Sequence, residues 1–181
     1  MNLPNILTFS RIAMIPLFLL VFFMPFQWAY MASAVIFAVA AVTDWLDGFL
    51  ARRWDQSTPL GAFLDPVADK LMVAGALAVL IHEYGSLFLT IPAIVIIGRE
   101  IVISALREWM AEMGKRASVA VSLIGKVKTG FQMVAIVMLL AYPPGEPVAM
   151  AGLVMLALAA ALTLWSMCVY LKAAWEEISA T

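Results

Sequence analysis

Four aspartates lie close together in a chain whose composition otherwise suits a lipid environment. They are Asp44, Asp47, Asp65 and Asp69. Hydrophobic residues make up 65% of the 181-residue sequence and charged residues only 13%, whereas charged residues form about a quarter of an ordinary soluble domain. A charged side chain at the centre of a membrane helix costs roughly 2.5–3.5 kcal/mol on insertion scales. We therefore expect the four carboxylates to face a partner of opposite charge.

The composition predicts an all-α integral membrane protein that forms a single domain over residues 1–181. Apolar segments indicate six transmembrane helices, several of which reach full membrane length only with their polar ends. An amphipathic juxtamembrane segment is expected at the N-terminus. The predicted spans are Ile12–Phe26, Trp28–Asp44, Leu71–Ile81, Leu87–Gly98, Thr129–Ala141 and Val148–Leu171.

The distribution of basic residues predicts how these spans are oriented. The turns near Gln27, Glu83 and Gly145 share one side of the membrane and contain no Lys or Arg. The opposite side carries both termini and the remaining connections, and its basic residues are Arg11, Arg52, Arg53, Arg107, Lys115, Arg116 and Lys172. The positive-inside rule places both termini in the cytoplasm.

The spacing of acidic and small residues places them on single helical faces. On the second helix these residues are Asp44, Asp47, Gly48 and Ala51, with Arg52 beside them, and on the third they are Gly61, Asp65 and Asp69. The third helix is expected to begin at Pro59 with Thr58 as its N-cap. The short connection predicts antiparallel neighbours whose carboxylates face each other. Such an oxygen cluster selects a hard cation such as Mg²⁺ or Mn²⁺, which would in turn hold a phosphate-containing substrate.

These residues fit a known signature, D-x2-D-G-x2-A-R-x8-G-x3-D-x3-D, and the chain resembles the CDP-alcohol phosphotransferase family that carries it. The signature is filled without departure by Asp44, Asp47, Gly48, Ala51, Arg52, Gly61, Asp65 and Asp69. Four further segments resemble the phosphatidylglycerophosphate synthases within that family. They are Leu3–Arg11, Gly61–Met72, Arg99–Met110 and Gly125–Gln132.

The resemblance implies that two divalent cations, Mg²⁺ or Mn²⁺, bind the diphosphate of a CDP-linked lipid. One ion is implied to be ligated by Asp44, Asp47 and Asp65, and the other by Asp44, Asp65 and Asp69. Asp69 is also the implied general base for an acceptor hydroxyl, which attacks the lipid-side phosphorus and releases CMP. The implied CDP-lipid site comprises Asn5, Thr8, Gly48, Ala51, Arg52, Thr58 and Gly61.

The acceptor implied by the resemblance is sn-glycerol 3-phosphate, whose roughly two negative charges require cations in the binding site. The candidates are Arg99, Arg107, Lys126 and Lys128. Arg99 follows an apolar run and is costly there unless it faces a polar cavity, although an ion pair with Glu100 is an alternative. Lys126 and Lys128 could instead extend to the membrane interface.

The predicted function is transfer of the phosphatidyl group from CDP-diacylglycerol to sn-glycerol 3-phosphate during phospholipid synthesis. We expect a homodimer among membrane lipids of the bacterial inner membrane, with its active site facing the cytoplasm and no nucleic-acid partner. The same chemistry with serine, inositol phosphate or a phospholipid as acceptor is the nearest alternative. A small cation transporter belongs to a different class, because intramembrane carboxylates can line an ion path. A structural membrane subunit would leave the aspartates without a role.

Overall fold

The computed structural model describes residues 3–54, 59–114 and 123–179, and it describes the side chains of 8–44, 61, 63–114 and 127–175. These ranges contain six α-helices and no β-strand. The helices are α1 (Leu3–Phe22), α2 (Ala29–Trp54), α3 (Pro59–Tyr84), α4 (Leu87–Glu112), α5 (Leu123–Ala141) and α6 (Pro147–Ser179). The all-α prediction is confirmed for the described part of the chain.

The first helix differs from its predicted span at both ends. The helix begins at Leu3 and ends at Phe22, so the predicted end of the span at Phe26 was wrong, and the predicted juxtamembrane segment is continuous with the span. Pro25 explains the early end, because the residue before a proline is biased away from helical backbone angles. The chain tightens just before it, where the Met24 N–H donates to the Val21 carbonyl at 3.1 Å.

The other helix boundaries follow from local chemistry. The third helix begins at Pro59 as predicted, whereas its predicted N-cap, Thr58, lies outside the described residues. Ser86 caps α4, and its Oγ accepts the Phe88 N–H at 3.3 Å. Gly85 and Gly145 have φ angles of 51° and 96° in the turns before α4 and α6, a conformation that glycine adopts without steric cost.

All six helices contribute apolar side chains to one core. Phe18 of α1 meets Phe37 of α2 edge to face, with ring centroids 6.4 Å apart, a geometry that adds to simple burial. The largest buried members of the core are Phe18, Phe37, Leu77, Leu80, Leu89, Ile96, Ile136, Leu139, Leu140 and Leu156. This core holds the polar ends of the helices in fixed positions relative to one another.

Among the described residues, two helical segments are both long and apolar enough to cross a membrane: Leu87–Glu112 and Pro147–Trp175. Shorter apolar segments occur at Thr8–Phe22, Ala29–Asp44 and Val127–Ala141. Many large apolar side chains are exposed along these segments, among them Leu20, Val35, Ile94 and Val154. Exposed apolar area of this extent is unusual for a soluble monomer and is what a lipid-facing surface requires.

Successive helices run in alternating directions and gather the polar residues at one end. Side-chain contacts link the first half of α1 to the later part of α2 and to the first half of α3. Another contact joins Lys70 of α3 to Ser104 of α4. At the opposite end, Tyr84 connects the end of α3 to the end of α5. Its hydroxyl lies 3.2 Å from the Leu139 carbonyl oxygen and 3.0 Å from the Tyr142 carbonyl oxygen.

Candidate active site

Three of the four predicted aspartates have described side chains, and these three lie near one another. Asp44 lies on α2, whereas Asp65 and Asp69 are four residues apart on α3 and share a face. Their negative charges repel each other in two pairs, Asp44 with Asp69 and Asp44 with Asp65. Asp47 lies in α2, but its side chain is outside the described residues.

Two side chains of α1 bind the aspartates directly. Arg11 Nη1 lies 2.5 Å from Asp44 Oδ1, and the Arg11 side chain is only 1% exposed. The Thr8 hydroxyl donates to Asp65 Oδ1 at 2.5 Å, and Thr8 is likewise buried. Because Thr8 and Arg11 are three residues apart, they share one face of α1. That face therefore contacts one carboxylate from each of the two aspartate-bearing helices.

Arg11 is a site residue that the sequence analysis missed, since it was interpreted only as a cytoplasmic charge that orients the chain. The signal was present in the sequence: a single arginine in an apolar helix, three residues after Thr8. Buried arginines are rare unless paired, and the only acids of the chain before residue 65 lie on or just after α2.

Asp69 has an unusual protonation equilibrium. It precedes the apolar stretch of α3, and burial raises the pKa of its carboxyl to about 6. Repulsion by Asp44 and Glu100 acts in the same direction, while Arg11 and Lys70 oppose the increase. In the metal-free protein, Asp69 is thus mostly ionised at neutral pH but close enough to its pKa to exchange a proton, which suits a general base.

A cavity of about 240 Å³ opens beside Asp69 between α3, α4 and α5. Its lining residues are Asp69, Lys70, Val73, Arg99, Glu100, Lys128, Thr129, Gln132 and Met133. Three of them are cations, each from a different helix. The cavity therefore combines a carboxylate that can accept a proton with a set of positive charges.

The three cations of the cavity are held in different ways. The Lys70 ammonium donates to the Ser104 hydroxyl, which itself donates to the Glu100 carbonyl at 2.7 Å. Arg99 forms an ion pair with Glu100. Lys128 is 4% exposed and experiences repulsion from Arg99 and attraction from Glu100. A buried ammonium in such surroundings favours an anionic ligand.

The predicted acceptor residues do not all reach this cavity. Arg99 and Lys128 line it, whereas Arg107 is exposed and lies over the Tyr170 ring, with 5.6 Å between the guanidinium carbon and the ring centroid. The side chain of Lys126 is outside the described residues. The Arg99–Glu100 ion pair, the alternative given for Arg99, is confirmed. Lys70 and Glu100 were not predicted to line the cavity, because sequence spacing within one helix does not reveal which residues of other helices it faces.

The predicted CDP-lipid residues lie mostly where side chains are not described. Asn5 lies on α1, and Gly48, Ala51 and Arg52 lie on α2, all within helical backbone whose side chains are outside the described set; Thr58 is outside it altogether. Gly61 is buried in the first turn of α3. Thr8 is described, and it binds Asp65.

The donor atoms of this end of the molecule fit a hard divalent cation. Asp44, Asp65 and Asp69 supply only carboxylate oxygens, the donors that Mg²⁺ and Mn²⁺ prefer. Asp44 and Asp65 each engage α1 through one carboxylate oxygen, Oδ1. Among the described side chains alone, no three acidic, His or Cys residues are grouped closely enough to enclose an ion. The described side chains therefore do not form a complete ion site by themselves.

Comparison with known proteins places the chain in a family. The sequence model for CDP-alcohol phosphatidyltransferase matches residues 1–165. The chain belongs to this family. The predicted resemblance to the CDP-alcohol phosphotransferases is therefore confirmed.

Several similar proteins within the CDP-alcohol phosphatidyltransferase family share one name. A protein of Escherichia coli (strain K12) named CDP-diacylglycerol--glycerol-3-phosphate 3-phosphatidyltransferase is 60% identical over 177 residues, covering 98% of this chain and 97% of its own length. A protein of the same name from Salmonella typhimurium (strain LT2) has the same identity and coverage. A third, from Pseudomonas fluorescens, is 57% identical over 180 residues, with 98% and 92% coverage.

Proposed function

We propose that this protein transfers the phosphatidyl group of CDP-diacylglycerol to sn-glycerol 3-phosphate, giving phosphatidylglycerophosphate and CMP. The name shared by relatives of about 60% identity over nearly the whole chain supports the reaction. The observation that carries the proposal is the cavity beside Asp69, because it places three cations next to a carboxylate able to accept a proton.

The size and charge of the cavity favour a small phosphomonoester such as glycerol phosphate over serine or a phospholipid. At about 240 Å³, the cavity is smaller than the roughly 300–1,000 Å³ typical of drug-sized ligands, so it suits a small molecule rather than a phospholipid. Lys70, Arg99 and Lys128 match the two negative charges of a phosphomonoester. Serine lacks that phosphate, so it would offer Lys128 and the other cations of the cavity no phosphate oxygen to bind.

Asp44, Asp47, Asp65 and Asp69 are the residues that we assign to two divalent cations. When bound, these ions neutralise the diphosphate and stabilise charge on the attacking and leaving oxygens. The residues assigned to the CDP-lipid are Asn5, Thr8, Gly48, Ala51, Arg52, Thr58 and Gly61. Small residues here allow the substrate to approach the backbone, and Arg52 offers a planar fork to a phosphate.

Asp69 is the residue that we assign as the general base. It lines the acceptor cavity, so a hydroxyl of a molecule bound there can reach its carboxylate. Asp69 takes the hydroxyl proton as the acceptor oxygen forms a bond to the lipid-side phosphorus, and CMP leaves with the electrons of the broken P–O bond. The other residues of the cavity act by holding the acceptor in place, which is the larger part of catalysis in phosphoryl-type transfer.

We propose further that all six helices span the bacterial inner membrane, with both termini and the active site on the cytoplasmic side. The polar end of the molecule carries Arg11, Lys70, Arg99, Arg107 and Lys128, whereas the opposite turns contain no Lys or Arg. That asymmetry supports a cytoplasmic polar end. We also propose a single domain over residues 1–181, from the length and composition of the chain, and a homodimer, from the family.

An acceptor panel tests the reaction. Purified protein, CDP-diacylglycerol and Mg²⁺ are mixed separately with glycerol 3-phosphate, inositol phosphate or serine, and CMP release is followed. We expect rapid release with glycerol 3-phosphate alone. Faster CMP release with another acceptor would reassign the substrate. No CMP release with any acceptor would favour the cation-transporter hypothesis, and a cation-flux assay in vesicles would then test it.

A further inference from the structure

The contacts of α1 point to a role for Arg11 beyond that of orienting the chain. Its guanidinium is 2.5 Å from Asp44 Oδ1 and almost completely buried. One helical turn earlier, the uncharged Thr8 hydroxyl donates a hydrogen bond to the corresponding oxygen of Asp65, Oδ1. The two contacts resemble each other in distance and burial but differ in charge, and this difference makes their effects separable.

The charge of Arg11 reaches more than one aspartate. It attracts both Asp44 and Asp69, while the aspartates repel one another across α2 and α3. Without a cation, the mutual repulsion of these partly buried carboxylates disfavours the packed arrangement of the helices. Arg11 is thus the counter-ion on the α1 side of the cluster in the metal-free protein.

We propose that Arg11 is a built-in counter-ion that competes with the divalent cation for Asp44, and so weakens metal binding while stabilising the metal-free fold. This inference rests on the proposed metal role of Asp44 and Asp65. The positive charge that steadies the carboxylates in the absence of metal repels an incoming cation. Thr8 donates a hydrogen bond without this repulsion, so it orients Asp65 and leaves its charge available.

Two measurements on the full-length protein in detergent test the proposal. The free Mn²⁺ signal in electron paramagnetic resonance gives the Mn²⁺ affinity, and thermal unfolding is followed with and without saturating Mn²⁺. For Arg11→Gln we expect Mn²⁺ to bind at least about tenfold more tightly. The metal-free unfolding midpoint should fall by about 5 °C or more, and saturating Mn²⁺ should restore most of this loss.

Matched variants separate charge from packing. Arg11→Lys keeps the charge and should bind Mn²⁺ within about threefold of the wild type. Lys172→Gln removes an exposed positive charge on α6 and should change neither measurement. Unchanged or weaker Mn²⁺ binding by Arg11→Gln would overturn the proposal, as would equal losses of stability with and without Mn²⁺.

The remaining outcomes are also decisive. If the wild type itself binds no Mn²⁺, the metal role of the aspartates fails, and with it the basis of this inference. If Arg11→Gln cannot be recovered without metal, the double variant Arg11→Gln with Asp44→Asn is prepared. Recovery of the double variant supports a counter-ion role because both charges of the pair are gone; failure to recover it means that Arg11 serves packing, and the proposal is wrong.

Discussion

Arg99 pairs with Glu100, its own neighbour in the chain, with 2.6 Å between Arg99 Nη1 and Glu100 Oε1. The pair lies in the wall of the cavity beside Asp69. The Arg99 guanidinium therefore already has an anionic partner before an acceptor binds. Lys128, buried in the same wall without such a sequence neighbour, offers its charge more fully to an anionic ligand.

This difference predicts unequal effects of neutralising the two cations. Lys128→Gln should raise the KM for glycerol 3-phosphate roughly tenfold to a hundredfold, the cost of losing a charge-assisted hydrogen bond. Arg99→Gln should raise it less, and neither should change the KM for CDP-diacylglycerol by a similar factor. Steady-state kinetics with each substrate varied in turn provides the measurement.

The control for these variants is Lys172→Gln, which removes an exposed charge on α6, a helix that contributes no residue to the cavity lining, and which should leave both KM values unchanged. Equal increases for the two substrates would place Arg99 and Lys128 outside an acceptor pocket.

Asp69→Asn should lower turnover by a factor of about 10²–10⁴, the usual contribution of a general base. The fold should persist, because the increased pKa of Asp69 shows that the folded state disfavours its charged form. The metal-free unfolding midpoint at pH 7.5 should consequently stay level or increase. CMP release and thermal unfolding are measured on the same preparation, and substantial remaining turnover would remove Asp69 from the role of base.

The pKa of Asp69 also predicts how metal binding varies with pH. The ionised carboxylate is the form that binds a cation, and protons compete for it as the pH falls through about 6. The affinity for Mn²⁺ should therefore be nearly constant from pH 8 to 7 and decrease steadily below pH 6. Titrations of the wild type and of Asp69→Asn across this range provide the comparison.

Asp69→Asn should show a flatter dependence of affinity on pH between 7 and 5, since it has no proton to exchange at that position. A dependence identical to that of the wild type would assign the proton competition to another carboxylate.

The contact between α5 and α6 predicts that one glycine cannot be enlarged. A Cβ at Gly152 would lie 3.0 Å from Leu139 Cγ and 3.3 Å from Met138 Cβ, both on the facing helix. Leu139 is fully buried and has little room to move. Gly152→Ala should therefore destabilise the protein by about 1–3 kcal/mol, as overpacking does, and lower the unfolding midpoint in detergent.

Gly130→Ala on α5 is the matched control, because a Cβ there meets no atom within 4 Å. Alanine is the better helix former by about 1 kcal/mol, so this variant should be neutral or slightly stabilising. An equal decrease in the midpoint for both variants would contradict the close approach of α5 and α6 at Gly152.

Helix positions were largely predictable from the sequence because their causes are local. Pro59 starts α3, and Gly145 allows the turn between α5 and α6, as the pattern of apolar runs and breakers indicated. The first helix was the exception. Its polar opening residues were read as a separate segment, but nothing between Leu3 and Phe22 breaks the helix, not even Pro16, which lies within it.

The sequence alone determined the family, because the spacing of Asp44, Asp47, Asp65 and Asp69 is fixed along two adjacent helices and their short connection. The same spacing predicted the residue types of the candidate site. Only the tertiary structure decided which cations meet these carboxylates. Arg11 of α1 reaches Asp44 of α2 because the two helices pack against each other. Such pairings depend on the rotation and depth at which each helix settles in the common core, and these are set by the fit of apolar side chains from all six helices, which no pattern within a single helix records.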